Sequence, residues 1–196
     1  MRLLSMGHTR ARLTKLVAVL ATVALGLVVG GMPAYAAVST ISFSDDFERD
    51  LGYTWTFTTS GGGTGWVYTD DPGLAYQGSA GAAVTHPNSG FTSFGRNIHV
   101  PLNNTRCWGG IIAQRRSYGN TLRVNFEIIN PTTWTYITLG SIYLQGPGTG
   151  RWEPVGVGVF RPPVGAFYLR ISVIGVNGYT AMANFDNFTF TCEFTR

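Results

Sequence analysis

The sequence predicts an all-β domain of many short antiparallel strands, and three observations predict it. Residues 37–196 are poor in helix formers, with seven Leu, one Met, four Glu and no Lys against 22 Gly and 20 Thr. Apolar and polar residues alternate with period two, most clearly where Leu122, Val124, Phe126 and Ile128 interleave with Arg123, Asn125 and Glu127. Turn formers recur roughly every 8–12 residues without any helical period, the pattern of a sandwich or barrel.

The first 36 residues read as an export leader. Arg2, Arg10, Arg12 and Lys15 precede an apolar run from Leu16 to Val29, and Ala34-Tyr35-Ala36 supplies a small-residue exit. The run falls short of the roughly 20 residues that a membrane span needs. Cleavage is therefore expected near Ala36, which makes residues 37–196 a single secreted domain with no membrane contact. The leader also holds the whole formal charge of +4: it has four of the 14 Lys+Arg and none of the 10 Asp+Glu, leaving ten Arg against ten acids. A neutral domain lacks the electrostatic term that dominates nucleic-acid binding, so nucleic acid is excluded as a partner.

Each element then follows in order. Ser39 to Phe43 opens as a strand, Asp45-Asp46-Phe47-Glu48 is an acidic patch, and Tyr53 to Phe57 alternates. Residues 58–65 are Thr, Ser and Gly only, a loop by composition, and Trp66-Val67-Tyr68 is a short strand. Asp70-Asp71-Pro72-Gly73 is a turn, since Pro presets φ and Gly admits a positive one. Ala80 to Val84 is a strand of small residues, and Pro87-Asn88-Ser89-Gly90 is loop. Arg96 to Leu102 alternates up to Asn103-Asn104, Cys107 to Gln114 is mostly apolar, and Thr121 to Ile129 alternates as described.

Trp134 to Leu144 is one long strand, or two broken near Gly140; Trp134 and Tyr136 take one face, Ile137 and Leu139 the other. After the turn at Gly146 to Gly150 comes the strand Arg151 to Phe160. Residues 166–175 put Phe167, Leu169, Ile171 and Val173 inward and Tyr168, Arg170 and Ser172 outward. The last strand sets Phe188, Phe190, Cys192 and Phe194 on one face. There is no internal repeat, and periodicity alone does not separate a sandwich from a closed barrel. Cys107 and Cys192, two thiols in an exported chain, are expected to pair. The bond would close a long loop, a constraint of roughly 4–5 kcal/mol in the chain-entropy picture.

Six segments carry a resemblance. Phe47-Glu48 is followed by Trp55, then by Gly78-Ser79-Ala80-Gly81-Ala82-Ala83-Val84. Gly148-Thr149-Gly150-Arg151-Trp152, the strand Phe167 to Ile174, and Phe185-Asp186-Asn187-Phe188 complete the series. In order and spacing these segments resemble the jelly-roll carbohydrate-binding modules appended to xylanases and other polysaccharide-degrading enzymes, within the galactose-binding-like group. The resemblance spans nearly all of residues 37–196; each motif alone is loose. It implies a two-sheet antiparallel β-sandwich with Trp55 and Trp152 in the core. It also implies one structural calcium where the first and last strands meet, held by Glu48, Asp186 and backbone carbonyls, with Asp46 and Asp45 as further ligands. Calcium takes six to eight oxygens, which such loops can supply. Ser44-Asp45-Asp46 stands where that family commonly has an Asn-Gly pair, and the alternative is that Glu48 and Asp186 only accept from turn amides.

A sugar offers an apolar C–H face and a fringe of hydroxyls, so a binder needs flat aromatic surface beside forked polar groups. All five Trp and eight of the nine Tyr lie in residues 37–196. Candidate binding residues are Trp134 with Tyr136, Trp66 with Tyr68, and Tyr168 with Arg170, with Arg123, Asn125, Glu127 and Gln114 lining the same cleft; Trp108 beside Arg115 and Arg116 is a further group. The expected function is non-catalytic, lectin-like recognition of a polysaccharide or glycan. Two other classes compete. A β-sandwich glycosidase or lyase needs two carboxylates about 5–10 Å apart, yet six of the ten acids crowd between Asp45 and Asp71, and His86 and His99 sit in no nucleophile motif. An exported adhesive sandwich would instead expose an apolar patch without polar forks. For a neutral sugar binder, affinity should barely depend on salt.

Overall fold

The computed structural model describes residues 37–48, 54–60, 64–68, 75–78, 81–86, 91–116, 121–145, 151–176 and 181–196, with side chains throughout except at 64–68, 83–86 and 181. The expected leader at 1–36 and the expected turns at 70–73, 87–90 and 146–150 lie outside these residues.

Among the described residues, eleven strands form two antiparallel sheets. One contains β1 (Val38–Asp45), β3 (Thr64–Tyr68), β4 (Gly81–His86), β6 (Arg106–Arg115), β9 (Trp152–Phe160) and β11 (Ala181–Thr195), in the order β3-β4-β11-β6-β9 with β1 also on β11. The other contains β2 (Thr56–Thr59), β5 (Thr92–His99), β7 (Leu122–Ile129), β8 (Tyr136–Leu144) and β10 (Ala166–Gly175), in the order β2-β5-β10-β7-β8. Two separately hydrogen-bonded sheets make a sandwich, not a barrel. The long β11 organises the first sheet. On one edge it carries β4 along 181–185 and β1 along 188–195, end to end, and on the other β6. A register shift between Asp186 and Thr189 marks the junction.

The core is the space between the inner faces. Phe188, Phe190, Cys192 and Phe194 are all buried, as their alternation requires, and the shift at 186–189 turns Phe185 inward as well. Trp55 packs edge-on against Phe94 at 5.1 Å and Phe188 at 4.9 Å. Cys107 and Cys192 are bonded to each other, directly opposite across β6 and β11.

Local expectations change in four places. Thr58–Thr59 and Thr64–Gly65 belong to β2 and β3 rather than to a loop, since β-branched Thr suits a strand. Gly140 does not break β8: it faces inward where β8 meets β9, and a Cβ there would stand 1.8 Å from the Gly156 carbonyl oxygen, so glycine permits the close approach. Trp152 is only half-buried, because β9 is an edge strand; its ring meets that of Tyr76 at 5.7 Å instead. Leu139 exchanges places with its expected face: the ladder slips between Ile128 and Ile129, leaving Ile137 as the extra residue against the core and Leu139 outside.

Candidate functional site

The outer face of the five-stranded sheet gathers most of the candidate residues. Inward positions of β7 and β10 are apolar, so their alternate residues point out together: Arg123, Asn125, Glu127 and Ile129 on β7, and Tyr168, Arg170, Ser172 and Ile174 on β10. Register then fixes the rows. Tyr168 stands opposite Ile129, which stands opposite Tyr136; Arg170, Glu127 and Leu139 form the next row. Ser172, Asn125 and Ser141 follow, then Ile174, Arg123 and Tyr143.

The middle of this face is a buried polar network. Glu127 is 1% exposed and accepts from three side chains: Arg170 Nε, Ser172 Oγ at 2.9 Å and Asn125 Nδ2 at 3.0 Å. Asn125 Oδ1 in turn accepts from Ser141 Oγ at 2.7 Å. A buried carboxylate is tolerable only with such partners. The Arg170 guanidinium also lies 5.2 Å from the Phe91 ring centroid, a cation–π contact that holds its outer end. Every polar group in the chain of contacts is thereby oriented before any ligand arrives.

Aromatics rim the network. Trp134, Tyr136 and Tyr143 are 65, 56 and 51% exposed, far beyond what packing requires. Trp134 sits in the β7–β8 connection. Asn130 Oδ1 accepts from the Thr132 and Thr133 amides, and Trp134 N donates to the Asn130 carbonyl at 2.8 Å. That turn holds Trp134 at φ 55°, a left-handed conformation costly for an aromatic residue. Its ring meets Tyr168 at 6.0 Å. Tyr168 lies over Gly95, where a Cβ would be 2.6 Å from its ring, and reaches the Thr58 side chain on β2. Burial lifts its hydroxyl above the ordinary tyrosine pKa, opposed by the Arg170 charge and the Thr58 hydrogen bond.

Three candidate groups lie elsewhere. Gln114 is on β6 of the other sheet, where its side-chain oxygen accepts from Asn184 Nδ2 at 3.1 Å; it lines no common cleft with Asn125. Trp66 and Tyr68 are on β3, at the edge of that same sheet, and their side chains are outside the described residues. Trp108 is half-buried on β6, and Arg115 is wholly buried. Sequence reading missed Tyr143 and Ser141 as members of the face, and it placed Ser172 outward beside Tyr168 and Arg170 without counting it among the binding residues. Plain alternation from Tyr136 puts Ser141 and Tyr143 on the same side as Ile137 and Leu139; only the extra residue at Ile137 brings them onto the outer face beside Tyr136.

The acidic cluster divides. Asp186, 1% exposed at the junction on β11, accepts from the amides of Tyr76 (2.7 Å), Gln77 (2.8 Å) and Asn187 (2.6 Å). Burial, and secondarily the Glu48 carboxylate, push its pKa up against those three amides. Glu48 closes on the same segment, since a Cβ at Gly78 would stand 2.1 Å from Glu48 Oε1. Both carboxylates thus meet one loop, with the oxygens of Asp186 already accepting from three backbone amides. Asp45 does not join them: it accepts from Phe47 N and Trp55 Nε1, both 2.8–2.9 Å. Asp46 accepts from Glu48 N at 3.3 Å. Among the described residues no three Asp, Glu, His or Cys side chains converge on one point, so a metal here would depend on Glu48, Asp186 and backbone carbonyls.

No family model matches the chain, and no curated protein matches it. Solved structures do. The chain is similar to the CBM22-1 xylan-binding domain from Paenibacillus barcinonensis Xyn10C, at 16% identity over 80% of this chain and 96% of that one, TM-score 0.53. It is similar to the C-terminal family 22 carbohydrate-binding module of Clostridium thermocellum Xyn10B, at 19% identity over 76% and 90%, TM-score 0.52. A third likeness is to TmCBM61 in complex with β-1,4-galactotriose, at 14% identity over 72% and 88%, TM-score 0.50. At such identities the likeness establishes the fold, the jelly-roll β-sandwich of carbohydrate-binding modules that the segment order resembles.

Proposed function

We propose that residues 37–196 form an exported, non-catalytic carbohydrate-binding domain, released from the leader near Ala36, that grips a polysaccharide on the outer face of the β2-β5-β10-β7-β8 sheet. The observation that carries this reading is the pairing on one face of exposed Trp134, Tyr136 and Tyr143 with the pre-oriented network of Glu127, Arg170, Asn125 and Ser141. Aromatic rings take the C–H faces of sugars, and the fixed polar groups take hydroxyls. From Ile129 to Arg123 the face runs about 20 Å along β7, at about 3.3 Å per residue, which suits a chain of sugars better than a single one. Neighbours that bind xylan and galactotriose support the same ligand class.

Catalysis is disfavoured on geometry. Glycoside hydrolysis needs two carboxylates across the scissile bond. On this face, among the described residues, Glu127 stands alone, and its oxygens are committed to Arg170, Ser172 and Asn125.

The test is affinity electrophoresis of the exported protein against a polysaccharide panel that includes xylan and β-1,4-galactan, beside a reducing-sugar release assay. Retention without release is expected, with retention of a neutral polymer changing less than about twofold between 0.05 and 0.5 M salt, since no net charge draws it in. Release would make the protein an enzyme; neither retention nor release would favour the adhesive reading. A calcium ion on Glu48 and Asp186 belongs to the same proposal, as a fastener of the β1–β11 junction and not as a participant in sugar binding. Chelation is then expected to lower the melting temperature while leaving retention at low temperature intact; an unchanged melt removes the metal.

A further inference from the structure

Among the described residues the outer face carries three charged groups, and they do not balance. Arg170 and Glu127 satisfy each other. Arg123, four residues before Glu127 on β7, is about 13 Å away along the strand, beyond the reach of that carboxylate. Arg123 is half-buried and has no ion-pair partner among the described residues; its Nε is shielded from solvent with no hydrogen-bond acceptor. A guanidinium left without an acceptor in a partly enclosed position is an unmet demand for an anion, best answered by the two oxygens of a carboxylate.

Its neighbours say what kind of anion. In register Arg123 lies between Ile174 on β10 and Tyr143 on β8, and Tyr143 is half-exposed. Directly opposed cross-strand residues have Cβ atoms roughly 5 Å apart. A sugar ring lying on Tyr143 would therefore present a substituent at its edge to Arg123. In a uronic acid that substituent is a carboxylate on the carbon next to the ring oxygen. We propose that the glycan bound on this face is an acidic one, a uronate-containing polysaccharide, with Arg123 reading the carboxylate and Tyr143 carrying the ring. This rests on the sugar-binding reading of the face and narrows it to a ligand class.

The test uses matched polymers: polygalacturonate, glucuronoxylan and alginate, each beside its carboxyl-reduced counterpart, which keeps the linkage and loses the charge. At least one native polymer is expected to be retained about tenfold more strongly than its reduced form, the scale of one charge-assisted contact. That advantage should shrink as salt is raised. In Arg123→Gln the ratio of native to reduced retention should fall to about one, and Arg123→Lys should keep part of it; Trp134→Ala should weaken both polymers in parallel. Melting temperatures of the variants are measured alongside. Equal retention of every native and reduced pair, or an undiminished ratio in folded Arg123→Gln, overturns the inference while leaving the sugar-binding reading standing. If neither acidic nor neutral polymers are retained, that reading fails and this one with it.

Discussion

Replacing Trp134 and Tyr136 together by alanine should reduce polysaccharide affinity by about 30- to 700-fold, the consequence of losing about 2–4 kcal/mol of aromatic contact. Both side chains are more than half exposed, so the folded domain owes them little, and the melting temperature should shift by no more than a surface substitution allows, about 0.5 kcal/mol in stability. The separation of these two readouts is what makes the experiment informative. Trp134 is held out by the turn at Asn130, at a backbone cost that nothing in the core recovers. Its ring is braced by Tyr168, which remains in the variant. Retention on affinity gels, measured with the melt, decides the matter: an affinity unchanged by the double substitution would move the site away from this end of the sheet.

The second large effect is on stability. Glu127→Ala should cost about 3–5 kcal/mol, because it strips the counter-charge from Arg170 and leaves Ser172 and Asn125 donors unmet beneath the surface. Glu127→Gln keeps the shape and one acceptor oxygen and should cost less, about 1–3 kcal/mol. Denaturant titration with an unchanged slope would report both as shifts in midpoint. If Glu127→Ala were as stable as the parent, the network would not be what fixes Arg170. The same variant bears on binding: Arg170, released from Glu127, would lose its fixed direction, so affinity for any glycan should fall even where the fold survives.

Much of this face was legible in the chain because β-strand alternation is a local property. Arg123, Asn125 and Glu127 had to share a side, as did Tyr168, Arg170 and Ser172, since the intervening residues are apolar. What alternation does not encode is pairing. Gln114, like Asn125, is a polar residue in a strand, yet β6 hydrogen-bonds to β9 and β11 and carries it into the other sheet. Leu139 failed for a different reason: a single extra residue at Ile137 inverts every later position, and nothing in the composition of β8 announces the bulge. The resemblance implies a core position for Trp152, but a matched motif does not reveal that β9 is an edge strand here.

By itself, then, the sequence determined the strand class, the inward phenylalanines of β11, the pairing of the chain's two cysteines, and which residues of each strand travel together. These depend on period, composition and count. The tertiary structure alone decided which strands became neighbours, and so brought Trp134, Tyr143, Glu127 and Arg170 onto one surface while leaving Gln114 behind and Arg123 without a counter-charge. Sheet order joins residues far apart in the chain through backbone hydrogen bonds that every residue type can make. The side chains of any one strand therefore carry little record of it.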